Sequence, residues 1–394
     1  MQYAIIAPRM SKTAEFLRKN GYVLMVPLWT GLLLIPFTGM IQALELAAGL
    51  GLAVYIWSFA GRDAVSAALK SCSGRMDSIR SSGDAFSRFL GTPVAAGAAF
   101  CASLVVPLFL NEYQCDILTL TCMYAVLALG LNLVVGQVGL LNLGYVAFYA
   151  VGAYTYAILS TRFGITFWPG ILIGAAASAL FSLAVGLPTL KLRGDYFAIV
   201  TLGLGEITRI VLNNWDSMTG GPNGIANIAR PSVLGRVLST PRDFYYLILM
   251  FAVLTVVAMR RLIASRIGRA WIAIREDETA AEAMGINTFL LKLLASVLAA
   301  AWAGAVGVFF AAKMAFVSPE SFNFGESVMI LCMVVLGGMG SIPGIVLGAF
   351  LLITLPEFLR DIQDYRMLAF GAALVLMMIF RPQGILGRAR GKVA

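Results

Sequence analysis

The sequence predicts an all-α polytopic membrane protein with about 10–12 transmembrane segments. Three observations predict it. Of the 394 residues, 60% are hydrophobic and 12% charged, whereas soluble domains carry about 45–50% apolar and about 25% charged residues. Mean hydropathy is +0.86. Lys and Arg gather on alternate connections between the apolar runs. Together these exclude an ordinary soluble fold and a disordered chain.

The segments follow in order. A helix needs about 20 apolar residues to cross a bilayer. Runs approaching that length are Gly21–Thr38, Ile41–Ala60, Thr92–Leu110, Ile117–Val135, Tyr145–Thr161, Phe167–Leu190, Tyr196–Leu212, Phe244–Leu262 and Thr288–Ala312. Met329–Gly338, Gly344–Leu359 and Met367–Phe380 complete the series, and the Met329 run stops early in a glycine cluster. With the amino terminus inside, the inner segments hold 21 Lys and Arg and the outer ones seven, while Asp and Glu divide evenly. A bias in Lys and Arg alone is the form the positive-inside rule takes. The net charge of +9 therefore sets topology and does not mark a nucleic-acid surface. The expected arrangement is multi-pass, with both termini cytoplasmic.

The Ser- and Gly-rich stretch Gly61–Gly91 reads as a flexible cytoplasmic linker. It divides residues 1–91, an accessory hairpin plus linker, from a core over residues 92–394. The core carries an echo. Gly136-x-x-Gly139 precedes Gly144 and Gly152, and Gly337-x-x-Gly340 precedes Gly344 and Gly348. Two readings stand: an inverted repeat of the kind transporters use, or glycines that serve close helix packing.

No histidine is present, which excludes histidine catalysis and histidine metal sites. The five cysteines, Cys72, Cys101, Cys115, Cys122 and Cys332, lack metal-ligand spacing and read as small hydrophobes. No metal site, no catalytic constellation and no enzyme activity are expected.

Three stretches stand out for function. Glu206 and Arg209 share one face of an apolar run. They read either as a polar lining or gate, or as a structural ion pair with Arg209 reaching the outer surface. Asn132, Gln137, Asn142 and Tyr145 interrupt or flank an apolar stretch beside Gly136, Gly139 and Gly144. This is either a broken helix offering polar groups to a zwitterionic substrate, or a tight inside turn. Gly136, Gly139, Gly144, Gly337, Gly340 and Gly344 are the hinge candidates. The outer loop Thr219–Gly224 is turn chemistry, with no Lys-Ser or Lys-Thr to make it a phosphate loop.

The third stretch is the inside loop at about 264–288. A short helix at about Asp277–Met284 is expected, with Gly285 as its stop. Ala and Met set between acidic residues suit docking into a partner's groove. The alternative is a solvated loop that only sets topology.

These residues carry a resemblance. Ala280-Ala-Glu-Ala-Met-Gly285 is similar to the Glu-Ala-Ala-x-x-x-Gly loop of ABC importer permeases, with Thr279 at the glutamate position. Leu190–Glu206, Thr219–Gly224, Gly268–Trp271 with Arg275–Glu278, Val317–Phe322, Val335–Ser341 and Arg381–Gly384 resemble, in order, the LivM-type permease of branched-chain amino-acid importers. The resemblance covers about residues 116–387. It implies an importer of leucine, isoleucine and valine, coupled to ATPases through the inside loop. The coupling residues would be Arg269, Trp271, Arg275, Glu276, Glu278, Ala280, Ala281, Met284 and Gly285. It implies a LivH-type second permease, two ATPases of LivG and LivF type, and a periplasmic binding protein. ATP and Mg would be held by those ATPases, leaving no cofactor in this chain. The rivals are a urea or amide importer permease within the same family and an ion-coupled secondary transporter outside it.

Overall fold

The computed structural model describes residues 103–190, 192, 194–233, 236–238, 240–358, 371 and 384–385. All fall in the second of two units into which the chain divides, Gly83–Ala394. The accessory hairpin, the linker and, apart from Gly371, the span Met367–Phe380 lie outside the described residues.

The described chain is helical. A helical turn over residues 103–109 leads into α1 (Glu112–Asn132), which continues as a π-helix, Leu133–Val138. There follow α2 (Tyr145–Phe163), α3 (Phe167–Thr189), α4 (Asp195–Asn214) and the four-residue α5 (Asp216–Thr219). Next come α6 (Pro241–Ala264), α7 (Arg266–Glu276), α8 (Glu278–Ala283), α9 (Thr288–Met314), α10 (Phe324–Gly337) and α11 (Ile342–Phe358). The strands are two-residue pairs: Ile225–Ala226 with Phe316–Val317, and Ser232–Val233 with Arg236–Val237.

Five helical segments among the described residues are long and apolar enough to cross a membrane: Glu112–Val138, Phe167–Thr189, Pro241–Ala264, Thr288–Met314 and Pro319–Gly337. The last begins ten residues before the expected Met329, so it takes in Glu326. Ile342–Glu357 is a shorter apolar helix. α1 and α9 are largely enclosed, whereas α3 and α6 turn most of their surface outward.

α9 is the axis of the bundle, packed against α1, α2 and α3. Small residues make the close approach possible. A Cβ on Gly152 of α2 would stand 2.2 Å from the Gly304 carbonyl of α9, and one on Gly304 would stand 2.4 Å from Ser178 Oγ of α3. Ser178 in turn donates to the Phe148 carbonyl at 2.8 Å. Association in lipid rests on such packing, because apolar contact gains little over contact with lipid tails. Rings fill the neighbouring layer, with Tyr149 against Phe310 and Phe322 at centroid distances of 5.5 and 5.1 Å.

Candidate functional site

The stretch at about 264–288 forms two helices where the sequence led us to expect one. α7 is amphipathic: Gly268, Trp271 and Ile274 are buried, while Arg266, Arg269, Ile272 and Glu276 are exposed. Ser265 Oγ caps it, accepting from Gly268 N at 3.3 Å. Asp277 has extended backbone, so α7 ends there; its carboxylate accepts from Ala280 N at 2.9 Å and starts α8. Gly285, at φ +83°, ends the segment as expected. Asn287 then caps α9 by accepting from Leu290 N at 3.1 Å.

This pair of helices is tied to the bundle at three points. Trp271, fully buried, donates from Nε1 to the Leu291 carbonyl at 2.8 Å. Glu278 pairs with Lys292. Arg275 donates from Nη1 to the Gly136 carbonyl at 2.5 Å. Of the coupling candidates, Trp271 and Ala281 are therefore enclosed by their own chain. Arg269, Glu276, Ala280, Met284 and Gly285 face outward, Met284 at 83% exposure.

Arg275 reaches a break in α1. The π-helix ends at Gly139, at φ +85°. Asn132 Oδ1, buried, accepts from Gly340 N at 2.9 Å. The two glycine clusters of the sequence echo thus meet in space. A Cβ on Gly136 would lie 2.8 Å from Gly340 N. Gly337 and Gly344 make a second close contact where α10 meets α11; a Cβ on Gly337 would stand 2.4 Å from the Gly344 carbonyl.

Beyond Gly139 the chain stays non-helical to Gly144 and climbs into the bundle. Leu143 N donates to Thr201 Oγ1 at 3.1 Å, Val146 N to Ser327 Oγ at 3.1 Å, and Tyr145 OH to the Ala299 carbonyl at 3.0 Å. Ala299 lies about 16 Å along α9 from Thr288, at 1.5 Å rise per residue. α2 therefore starts at depth. The break between α1 and α2 thus packs against α4, α9 and α10. Such backbone is tolerated in a membrane where protein or a wet cavity surrounds it. Leu141 is 40% exposed, so one side of the stretch is open.

The path candidates separate into three groups. Asn132 and Gln137 are buried at the break beside Gly340. Asn142 caps its own turn, accepting from Gly144 N at 3.0 Å, and Tyr145 pins α2 to α9. Glu206 and Arg209 pair with each other along α4 at 3.0 Å, each about one-third exposed.

Other paired charged side chains were not singled out from sequence. Glu326 accepts from Tyr124 OH of α1 at 2.5 Å, and Lys313 pairs with Asp116 at 3.0 Å. Asn323-x-x-Glu326 carries a helix-start signal that places α10 earlier than hydropathy does. Cys115, Cys122 and Cys332 are free thiols.

A bundle of membrane-crossing helices, with a broken helix at depth and an amphipathic helix pair fixed to the same end, is the build of a multi-pass membrane permease. The comparisons give the family. Residues 114–380 match the profile described as branched-chain amino acid transport system / permease component, and the chain belongs to that family. Permease protein LivM of the high-affinity branched-chain amino acid transport system is 46% identical in Escherichia coli and 45% in Salmonella typhimurium, over 72% of this chain and 72% of each relative. Permease protein LivH of Escherichia coli is 29% identical over 68% of this chain and 93% of its own length. No solved structure matches.

Proposed function

We propose that this chain is the LivM-type subunit of an ATP-driven importer that brings leucine, isoleucine and valine into a bacterial cytoplasm by alternating access. It would sit in the inner membrane with both termini inside. Residues 92–394 would be the working core and residues 1–91 an accessory hairpin and linker. Its partners would be a LivH-type permease, two ATPases of LivG and LivF type, and a periplasmic binding protein. ATP and Mg would be held by the ATPases.

The observation that carries this reading is the anchored helix pair α7–α8. A surface loop that only set topology would need no internal anchors. This one has a buried Trp, a buried Lys paired with a partly exposed Glu, and an Arg seated in a helix break, while Ala280, Ala283 and Met284 are turned outward. ATP-driven closure of the partners would move the pair as a rigid lever on α1 and α9. The chain need only have two arrangements of similar energy for the partners to bias. The non-helical stretch Gly139–Gly144 and the partly exposed Glu206–Arg209 pair are the candidate linings of the path.

The test is reconstitution of the full complex in liposomes. ATP-dependent uptake of labelled leucine, competed by isoleucine and valine and not by urea, is the expected result. Competition by urea alone would assign the chain to the urea branch. Uptake driven by an ion gradient without ATP would overturn the reading.

A further inference from the structure

We infer that Arg275 is a positioning residue that clamps two chain breaks to the inside helix pair, so that movement of the pair acts directly on the non-helical backbone at depth. The inference deepens the reading above and rests on it.

The geometry is specific. Helix ends leave carbonyls without partners, and the Gly136 carbonyl lies at such an end. Arg275 Nη1 supplies the missing donor at 2.5 Å. The aliphatic stem of the same side chain lies across Gly139, where an added Cβ would stand 2.7 Å from Arg275 Cγ. Gly139 and Gly340 both have positive φ, +85° and +87°. Arg275 Nη1 is 3.8 Å from the point where a Gly340 Cβ would be, and Gly340 N is already held by Asn132 Oδ1. One guanidinium therefore stands where the end of α1, the loop before α11 and α7 converge. Arg275 Nη2 lies 3.4 Å from Glu276 Oε1 toward the exposed side. The resemblance places Arg275 among residues that meet an ATPase; the structure turns its head group inward.

Nη1 meets the Gly136 carbonyl while Nη2 turns toward Glu276, so the head group donates in two directions at once. Lysine offers a point charge on a flexible stem and cannot present the same set of donors. With the clamp lost, the Gly136 carbonyl has no donor and the two breaks are free to part.

The test uses the full complex in liposomes, with the five native cysteines replaced by alanine and a single Leu141→Cys reporter. Arg275→Gln and Arg275→Lys are compared with Arg260→Gln, an exposed arginine at the end of α6. The expected result for both Arg275 variants is retained ATP hydrolysis, uptake per ATP lowered about tenfold, the scale of one lost charge-assisted hydrogen bond, and faster thiol labelling at Leu141→Cys. Arg260→Gln should match the parent in all three. Unchanged uptake per ATP with unchanged labelling would overturn the inference. So would lost ATPase association with unchanged labelling, which would put Arg275 at the partner surface. If Arg275→Gln fails to accumulate, Arg275→Lys is judged by the same two criteria. Absence of ATP-dependent uptake in the parent complex would sink the functional reading instead, and labelling at Leu141→Cys would still decide whether Arg275 holds the break.

Discussion

Lys292 Nζ stands 2.6 Å from Glu278 Oε1, with the lysine side chain 6% exposed and the glutamate 32% exposed. The first residue of α8 is thereby bonded to the first turns of α9. Removing one partner leaves a buried cation uncompensated. Glu278→Ala should lower stability by about 1–3 kcal/mol, at the low side of buried pairs because the glutamate is partly solvated. Glu278→Ala combined with Lys292→Met should recover most of the loss. Thermal unfolding of the purified chain in detergent measures both.

Ala281 and Met284 lie three residues apart and point in opposite senses, at 4% and 83% exposure. Ala281→Asp should bury an unpaired carboxylate within the chain and cost several kcal/mol by order of magnitude, lowering accumulation and thermal stability. Met284→Asp should leave both unchanged and weaken ATPase association. Co-purification of the ATPases with each variant, beside its membrane level, separates the two effects.

Gly304 and Gly203 are both helix-interior glycines. A side chain on Gly304 meets Ser178 Oγ at 2.4 Å and the Gly174 carbonyl at 2.6 Å, whereas one on Gly203 meets nothing within 4 Å. Gly304→Ala should separate α9 from α3 and cost about 1–3 kcal/mol as overpacking. Gly203→Ala should be neutral or stabilise by up to about 1 kcal/mol through helix propensity. The order of their unfolding temperatures checks this.

Arg230 and Met284 are both exposed, and the proposed topology puts them on opposite sides of the membrane. In an otherwise cysteine-free chain, an impermeant thiol reagent added to intact cells should label Arg230→Cys and spare Met284→Cys until the cells are opened. Labelling of Met284→Cys in intact cells would reverse the topology.

Local signals in the sequence translate directly into this structure, and long-range ones do not. Gly285 is readable as a helix stop because a left-handed residue needs no distant partner. The burial period of α7, at Gly268, Trp271 and Ile274, is also present in the sequence, but the arginines of the same stretch point equally to topology. The depth of Gly139–Gly144 is not legible. Glycine, asparagine and glutamine give the same composition in a surface turn and in a broken helix, and only Thr201, Ala299 and Ser327, far along the chain, decide between them. Ala281 shows the limit most plainly. Its small size suits a partner's groove and its own chain's core alike, and the fold turns it inward.

The start of α2 at depth has a consequence for biogenesis. The groups that anchor it arrive late: Ala299 follows Tyr145 by 154 residues, and Ser327 follows Val146 by 181. At about 5–20 residues per second, synthesis leaves the amino end of α2 without these bonds for roughly 8–36 s. α2 is also not among the five segments long and apolar enough to cross a membrane. Those two bonds can form only once α9 and α10 have been synthesised, so the start of α2 acquires its final setting late.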